Sequence, residues 1–80
     1  MNKSELLRWC QLYLAVLIGE SIESINTNDK LAVYDLDSID SVTMAYEMEE
    51  KFGFPIHPDT FVEDSKTLEQ IIEVLYTELN

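Results

Sequence analysis

The stretch LDSIDSVTMAYEMEEKF, residues 36–52, decides how this chain folds. At its start, Asp37 or Ser38 offers a side-chain oxygen to the free N–H groups of a first helical turn. Asp37 and Asp40 also place negative charge against the positive end of a helix. At its end, Gly53 can take the left-handed conformation that stops one. The sequence therefore predicts a helix from Ser38 to about Phe52.

On a wheel of about 100° per residue with Ser38 at zero, Met44, Ala45, Met48 and Phe52 fall between roughly 240° and 340°. Ile39, Val42 and Tyr46 fall between roughly 40° and 100°, a second apolar group separate from the first. A helix in a bundle of this size needs one apolar stripe to meet its core. The first group, anchored by Phe52, is expected to supply it. The second is then left for solvent or a partner, with Glu49 and Glu50 beside it and Ser38 at its N-terminal edge. Clustered apolar residues rimmed by charge mark an interaction surface.

The pattern extends outward in both directions. Leu6, Cys10, Tyr13 and Leu17 share one helical face, broadened by Leu7, Leu14 and Ile18, so a first helix is expected from about Ser4, as N-cap, to about Gly19. Residues 20–36 contain the turn-formers Asn26, Thr27, Asn28 and Asp29 and read as a long loop, with Ile22, Ile25, Leu31 and Val33 tucked onto the core. A loop this long in so small a chain points to function. Pro55 and Pro58 forbid a long helix after Gly53, but Pro58 can open one short helix reaching about Glu63. Ser65 or Thr67 then caps a last helix with the stripe Leu68, Ile71, Ile72, Leu75 and Leu79, and Thr67 with Gln70 forms a capping box. The expected fold is all-α, a four-helix bundle with a long first loop and a short third helix.

Eighty residues with 46% hydrophobic content suffice for one small domain spanning residues 1–80, with no linker and no repeat. The single cysteine, Cys10, excludes an internal disulfide, fits a reducing compartment and reads as a buried hydrophobe. The apolar run WCQLYLAVLIG, residues 9–19, is too short to cross a bilayer and lacks a cleavage pattern, so a cytoplasmic core helix is expected. Net charge is −11. Nucleic acid and anionic membranes, both polyanionic, are poor partners for such a chain; a protein with a basic patch is a good one. Between residues 35 and 64 nine acids face Lys51 as the one base, which places electrostatic docking in the middle of the chain.

The helix of residues 36–52 resembles the modification-site helix of acyl and peptidyl carrier proteins. That family has Asp-Ser-Leu followed by an amphipathic helix that ends in acids and an aromatic. Here Asp37-Ser38-Ile39-Asp40 and Glu49-Glu50-Lys51-Phe52 hold those places, and the helix layout matches along essentially the whole chain. The resemblance implies a four-helix carrier bundle whose Ser38 bears 4′-phosphopantetheine through a phosphodiester, installed from coenzyme A by a phosphopantetheinyl transferase. The arm's thiol would carry an acyl, aminoacyl or polyketide group as a thioester. Asp37 would position the helix start and the transferase's metal–phosphate chemistry. Asp35, Ile39, Asp40, Val42, Tyr46, Glu49 and Glu50 would form the docking face for that transferase and for loading, synthase and tailoring enzymes with basic patches. A monomeric, freestanding carrier is implied.

Two places depart from the family pattern. Many relatives have glycine two residues before the aspartate, where this chain has Asp35, and Ile39 replaces the usual leucine. The departures favour a secondary-metabolite pathway, polyketide or nonribosomal peptide, over fatty acid synthesis. An unmodified interaction module, with Ser38 as a plain helix cap, is the other alternative. An enzyme is not expected: His57 is the chain's one histidine and is remote from Ser38 in sequence, so no serine triad is legible. No metal-ligand spacing occurs either.

Overall fold

A computed structural model describes residues 2–79. Its helices are α1 (Lys3–Ile18), α2 (Ser38–Phe52) and α3 (Leu68–Leu79), with short 3₁₀ turns at Ile22–Ser24 and Leu31–Tyr34. The expected short third helix is not formed. Residues 58–62 make successive hydrogen-bonded turns instead, in which His57 O accepts from Thr60 N and Asp59 O accepts from Val62 N, each at 3.0 Å. Pro55 and Pro58 donate no backbone hydrogen bond, and the few residues after them close i→i+3 bonds without propagating a helix. Among the described residues, three α-helices replace the expected four.

Each helix begins on a side-chain cap. In α1 the cap is Asn2, whose Oδ1 accepts from Glu5 N at 2.9 Å, and the expected cap Ser4 lies inside the first turn. Asn2 captures the orphan N–H groups earlier, so the helix extends further back. In α3 the box forms as expected: Gln70 N donates to Thr67 Oγ1 (3.1 Å) and Thr67 N to Gln70 Oε1 (2.9 Å). Gly19 and Gly53 end α1 and α2 at φ 74° and 75°. An L-residue there would carry the left-handed strain.

α1 packs on α3, and one core joins all three helices. Leu6, Cys10, Leu14 and Ala15 of α1 meet Met44, Ala45 and Met48 of α2 and Leu68, Ile71, Ile72 and Leu75 of α3. Leu17, expected on the buried face of α1, is exposed with Ile18: the last turn outruns the elements that cover Leu14 and Ala15. Phe52 is half-buried, not the core anchor its position on the wheel suggested, and it packs edge-on to Trp9 and stacked on Phe54. The aromatic at the centre is Phe61, 1% exposed.

The long loop is tied down rather than loose. Leu31 N donates to Lys66 O (2.9 Å), Ala32 N to Asp64 O (3.0 Å) and Glu69 N to Thr27 O (3.1 Å), fastening it to the segment before α3 and to the first turn of α3 itself. Gln11 Nε2 adds a bond from α1 to Ile25 O at 3.0 Å. Ile25 and Leu31 are buried and Ile22 packs on the core, but Val33, expected inside, is well exposed. The 3₁₀ turn that buries Leu31 rotates Val33 outward, because two residues cover about 240° at three per turn.

Candidate functional site

The site is built on the first turn of α2. Asp37, in extended conformation, accepts from Asp40 N through its Oδ1 at 2.7 Å. Its carbonyl accepts from Ser41 N (3.0 Å) and Ser41 Oγ (3.1 Å). Asp37 is thus the cap, and Ser38 is released from that duty. Ser38 stands exposed as the first helical residue, and its hydroxyl has no hydrogen-bond partner among the described residues. The opening turn of a helix favours an anionic group, which suits a phosphodiester at this oxygen.

Three residues upstream, Asp35 has φ 51° and ψ 46° and is the one non-glycine residue at positive φ among those described. It takes the left-handed conformation that glycine offers without strain, a conformation aspartate tolerates better than most residues. Its N–H closes the preceding 3₁₀ turn on Ala32 O at 3.1 Å. A cleft of about 120 Å³ opens beside Ser38, with Leu31 and Phe61 among its apolar lining and Asp35 and Asp64 among its polar lining. That is room for about four water molecules. Asp64 was not legible from the sequence; the hydrogen bond from Ala32 N to its carbonyl brings its segment to Ser38.

The exposed flank of α2 continues from Ser38. Ile39 is 75% exposed, Tyr46 58% and Val42 41%, in line with the wheel. Asp40 is partly covered and Glu50 exposed. The Glu50 carboxylate, by hydrogen bonding, holds the Tyr46 phenol above its ordinary pKa. Glu49 differs from its sequence reading: it is half-buried and its Oε1 accepts from Ile56 N at 2.8 Å, so it braces the chain after α2. Cys10 is fully buried, and that burial pushes its thiol far above the range in which a thiolate forms. His57 Nδ1 accepts from Asp59 N at 3.1 Å and lines a different groove from Ser38. No helix among the described residues is long and apolar enough to cross a membrane.

The fold thus sets three helices and a tethered first loop around an exposed, unbonded Ser38 hydroxyl at the start of the second helix, an arrangement similar to that of carrier proteins. A solved structure agrees on the fold. The chain is similar to a free-standing peptidyl carrier protein from an uncharacterized Acinetobacter baumannii secondary metabolic pathway, with a TM-score of 0.82 over 99% of this chain and 98% of that one. Identity to it is 23%, so this likeness speaks for the fold alone. Residues 11–75 match the phosphopantetheine attachment site family, and the chain belongs to that family. Its cofactor is accordingly phosphopantetheine, held covalently. No curated protein matches the sequence.

Proposed function

We propose that this chain is a freestanding carrier that holds acyl, aminoacyl or polyketide intermediates on a 4′-phosphopantetheine arm at Ser38 and delivers them to enzymes of a secondary-metabolite pathway. The observation that carries this reading is the exposed, unbonded hydroxyl of Ser38 at the first position of α2, in a chain of the phosphopantetheine attachment family. In the attachment reaction the Ser38 Oγ forms a bond to the pantetheine-side phosphorus of coenzyme A. The pyrophosphate P–O bond breaks, adenosine 3′,5′-bisphosphate leaves, and a base of the transferase takes the serine proton. The bound arm supplies a thiol for thioester chemistry.

The chain's own residues hold and present. Asp37 fixes the start of α2 and so the place of the Ser38 oxygen. Asp35, Asp40 and Glu50 draw in basic partners, and Ile39, Val42 and Tyr46 offer the apolar contact that seats them. Glu49 adds its charge through space, since its carboxylate already accepts a backbone hydrogen bond. Beneath Ser38 the interior is filled by Phe61 and Leu31, and the adjoining cleft is small. This supports cargo held outside the bundle and favours short or polar intermediates over a long fatty chain.

Intact-mass measurement after co-expression with a broad-specificity phosphopantetheinyl transferase tests the reading. The wild-type chain should gain one pantetheine phosphate, and Ser38→Ala should gain nothing. No gain on the wild type with several transferases would leave an unmodified interaction module on the same fold. A gain retained by Ser38→Ala would move the attachment point elsewhere.

A further inference from the structure

The outer face of α1 carries exposed apolar surface to which the proposed function assigns no role. Val16 is 82% exposed and Leu12 47%, with Leu17 also uncovered. Trp9 and Tyr13 lie alongside, their rings stacked with centroids 4.9 Å apart. A groove of about 430 Å³ runs over Trp9, Leu12, Tyr13, Val16 and Leu17. Trp9 and Leu12 also line a second groove of about 420 Å³ that reaches Phe52, Arg8 and Lys51. The two adjoin at Trp9 and Leu12 as one shallow, open channel, and from Arg8 to Leu17 it follows α1 for about 14 Å, some two and a half helical turns.

Charge identifies what fits there. The chain has five basic residues against sixteen acids, and two of the five, Arg8 and Lys51, stand at one end of this channel. Neither makes an ion pair among the described residues, not even Lys51 with Glu47 one turn before it. Glu5 is the one acid on that rim. Asp37, at the head of α2, lies about 21 Å along the helix from Lys51, beyond two screening lengths of about 8 Å at physiological salt. The charges of Asp40 and Glu47, by contrast, are felt at Tyr13, farther along the face from Arg8 and Lys51. Unpaired cations beside half-buried aromatics are the composition of a binding hot spot. A second copy of this chain is the poorer occupant, because two bodies of charge −11 repel as they approach.

We propose that the outer face of α1 is a second docking surface, for an amphipathic helix of a partner protein whose apolar stripe lies over Trp9, Leu12 and Val16 and whose carboxylates at one end meet Arg8 and Lys51. Its chemistry is opposite to that of the α2 face, which attracts basic partners. One surface lies along α1 and the other along the exposed flank of α2, so one carrier can be held at α1 while Ser38 is served by another enzyme.

Two synthetic amphipathic helical peptides with the same leucine stripe test this, one ending in glutamates and the other in lysines, titrated into the full isotopically labelled chain by NMR. The glutamate peptide should shift the amide resonances of Trp9, Leu12, Tyr13 and Val16 and change the Trp9 fluorescence. The double variant Arg8→Glu, Lys51→Glu should bind it roughly ten-fold more weakly or worse, with an unchanged melting temperature. The lysine peptide should leave the α1 resonances in place. The proposal is overturned if the glutamate peptide moves no α1 resonance or binds the double variant equally well. It is also overturned if sedimentation reveals a reversible dimer that Val16→Glu abolishes, which would assign the surface to a second copy.

Discussion

On one flank of α2, Met44, Ala45 and Met48 are sealed into the core with Leu6, Leu14 and Ile72; on the other, Ile39, Val42 and Tyr46 stand in solvent a few residues away. Both flanks are apolar and belong to the same helix. Burying a side chain of the second kind is worth about 1.5–3 kcal/mol each, a large fraction of the 5–15 kcal/mol that holds a typical domain together. The fold leaves that stabilisation unused along the side that begins at Ser38. One flank therefore sets stability, and the other is free to set what the molecule meets.

The largest test of this division is Phe61→Ala. Loss of this central ring should cost about 3–5 kcal/mol, measured by urea unfolding, and leave most molecules poorly folded. A loss under about 1 kcal/mol would mean that the floor of the Ser38 cleft is not part of the core. Phe52→Ala, which the sequence alone would rank equally high, should cost less, about 1–2 kcal/mol, because its ring is half-buried at the edge of the Trp9–Phe54 cluster. Equal costs for the two phenylalanines would erase the distinction between centre and edge.

On the exposed flank, Val42→Asp and Tyr46→Asp should each change stability by no more than about 0.5 kcal/mol while lowering the rate at which partner enzymes load the arm. Unfolding of either variant in a thermal melt would show that this flank belongs to the core after all. The smallest structural effect is expected from Asp40→Asn combined with Glu50→Gln. The melting temperature should stay put, partner association should slow, and its salt dependence should flatten. An unchanged association rate would leave the acids with solubility as their role.

The residues that the sequence placed correctly are those governed by neighbours within a turn. Asp37, Gly53, Gly19, Thr67 and Gln70 act through hydrogen bonds or backbone angles spanning four residues or fewer, and each does in the structure what its local chemistry dictates. The division of α2 into two flanks was legible for the same reason, since helical periodicity is local. The short helix after Pro58 was misjudged because opening a helix and propagating one are different matters. A first turn fixes several dihedrals for one hydrogen bond, and nothing in residues 58–63 extends it.

Other features required the assembled chain. Leu17, Val33 and Phe52 are as apolar as Leu14, Leu31 and Phe61, yet the first three lie outside or at the edge and the last three inside. Which of them is covered depends on where elements distant in sequence come to rest, and periodicity carries no record of that. The brace from Glu49 to Ile56, the arrival of Asp64 beside Ser38 and the left-handed turn at Asp35 are likewise products of how the first loop is fastened to the segment before α3. By itself the sequence determined the three long helices, most of their ends and the serine at the head of the second, because short-range hydrogen bonding and side-chain spacing are written residue by residue. It placed the start of α1 at Ser4 rather than Asn2, however, and expected a fourth, short helix. Tertiary structure alone decided which side chains at the ends and edges of the elements, Leu17, Val33 and Phe52 among them, escape burial, and what surrounds Ser38, because burial belongs to the space between elements rather than to any one of them.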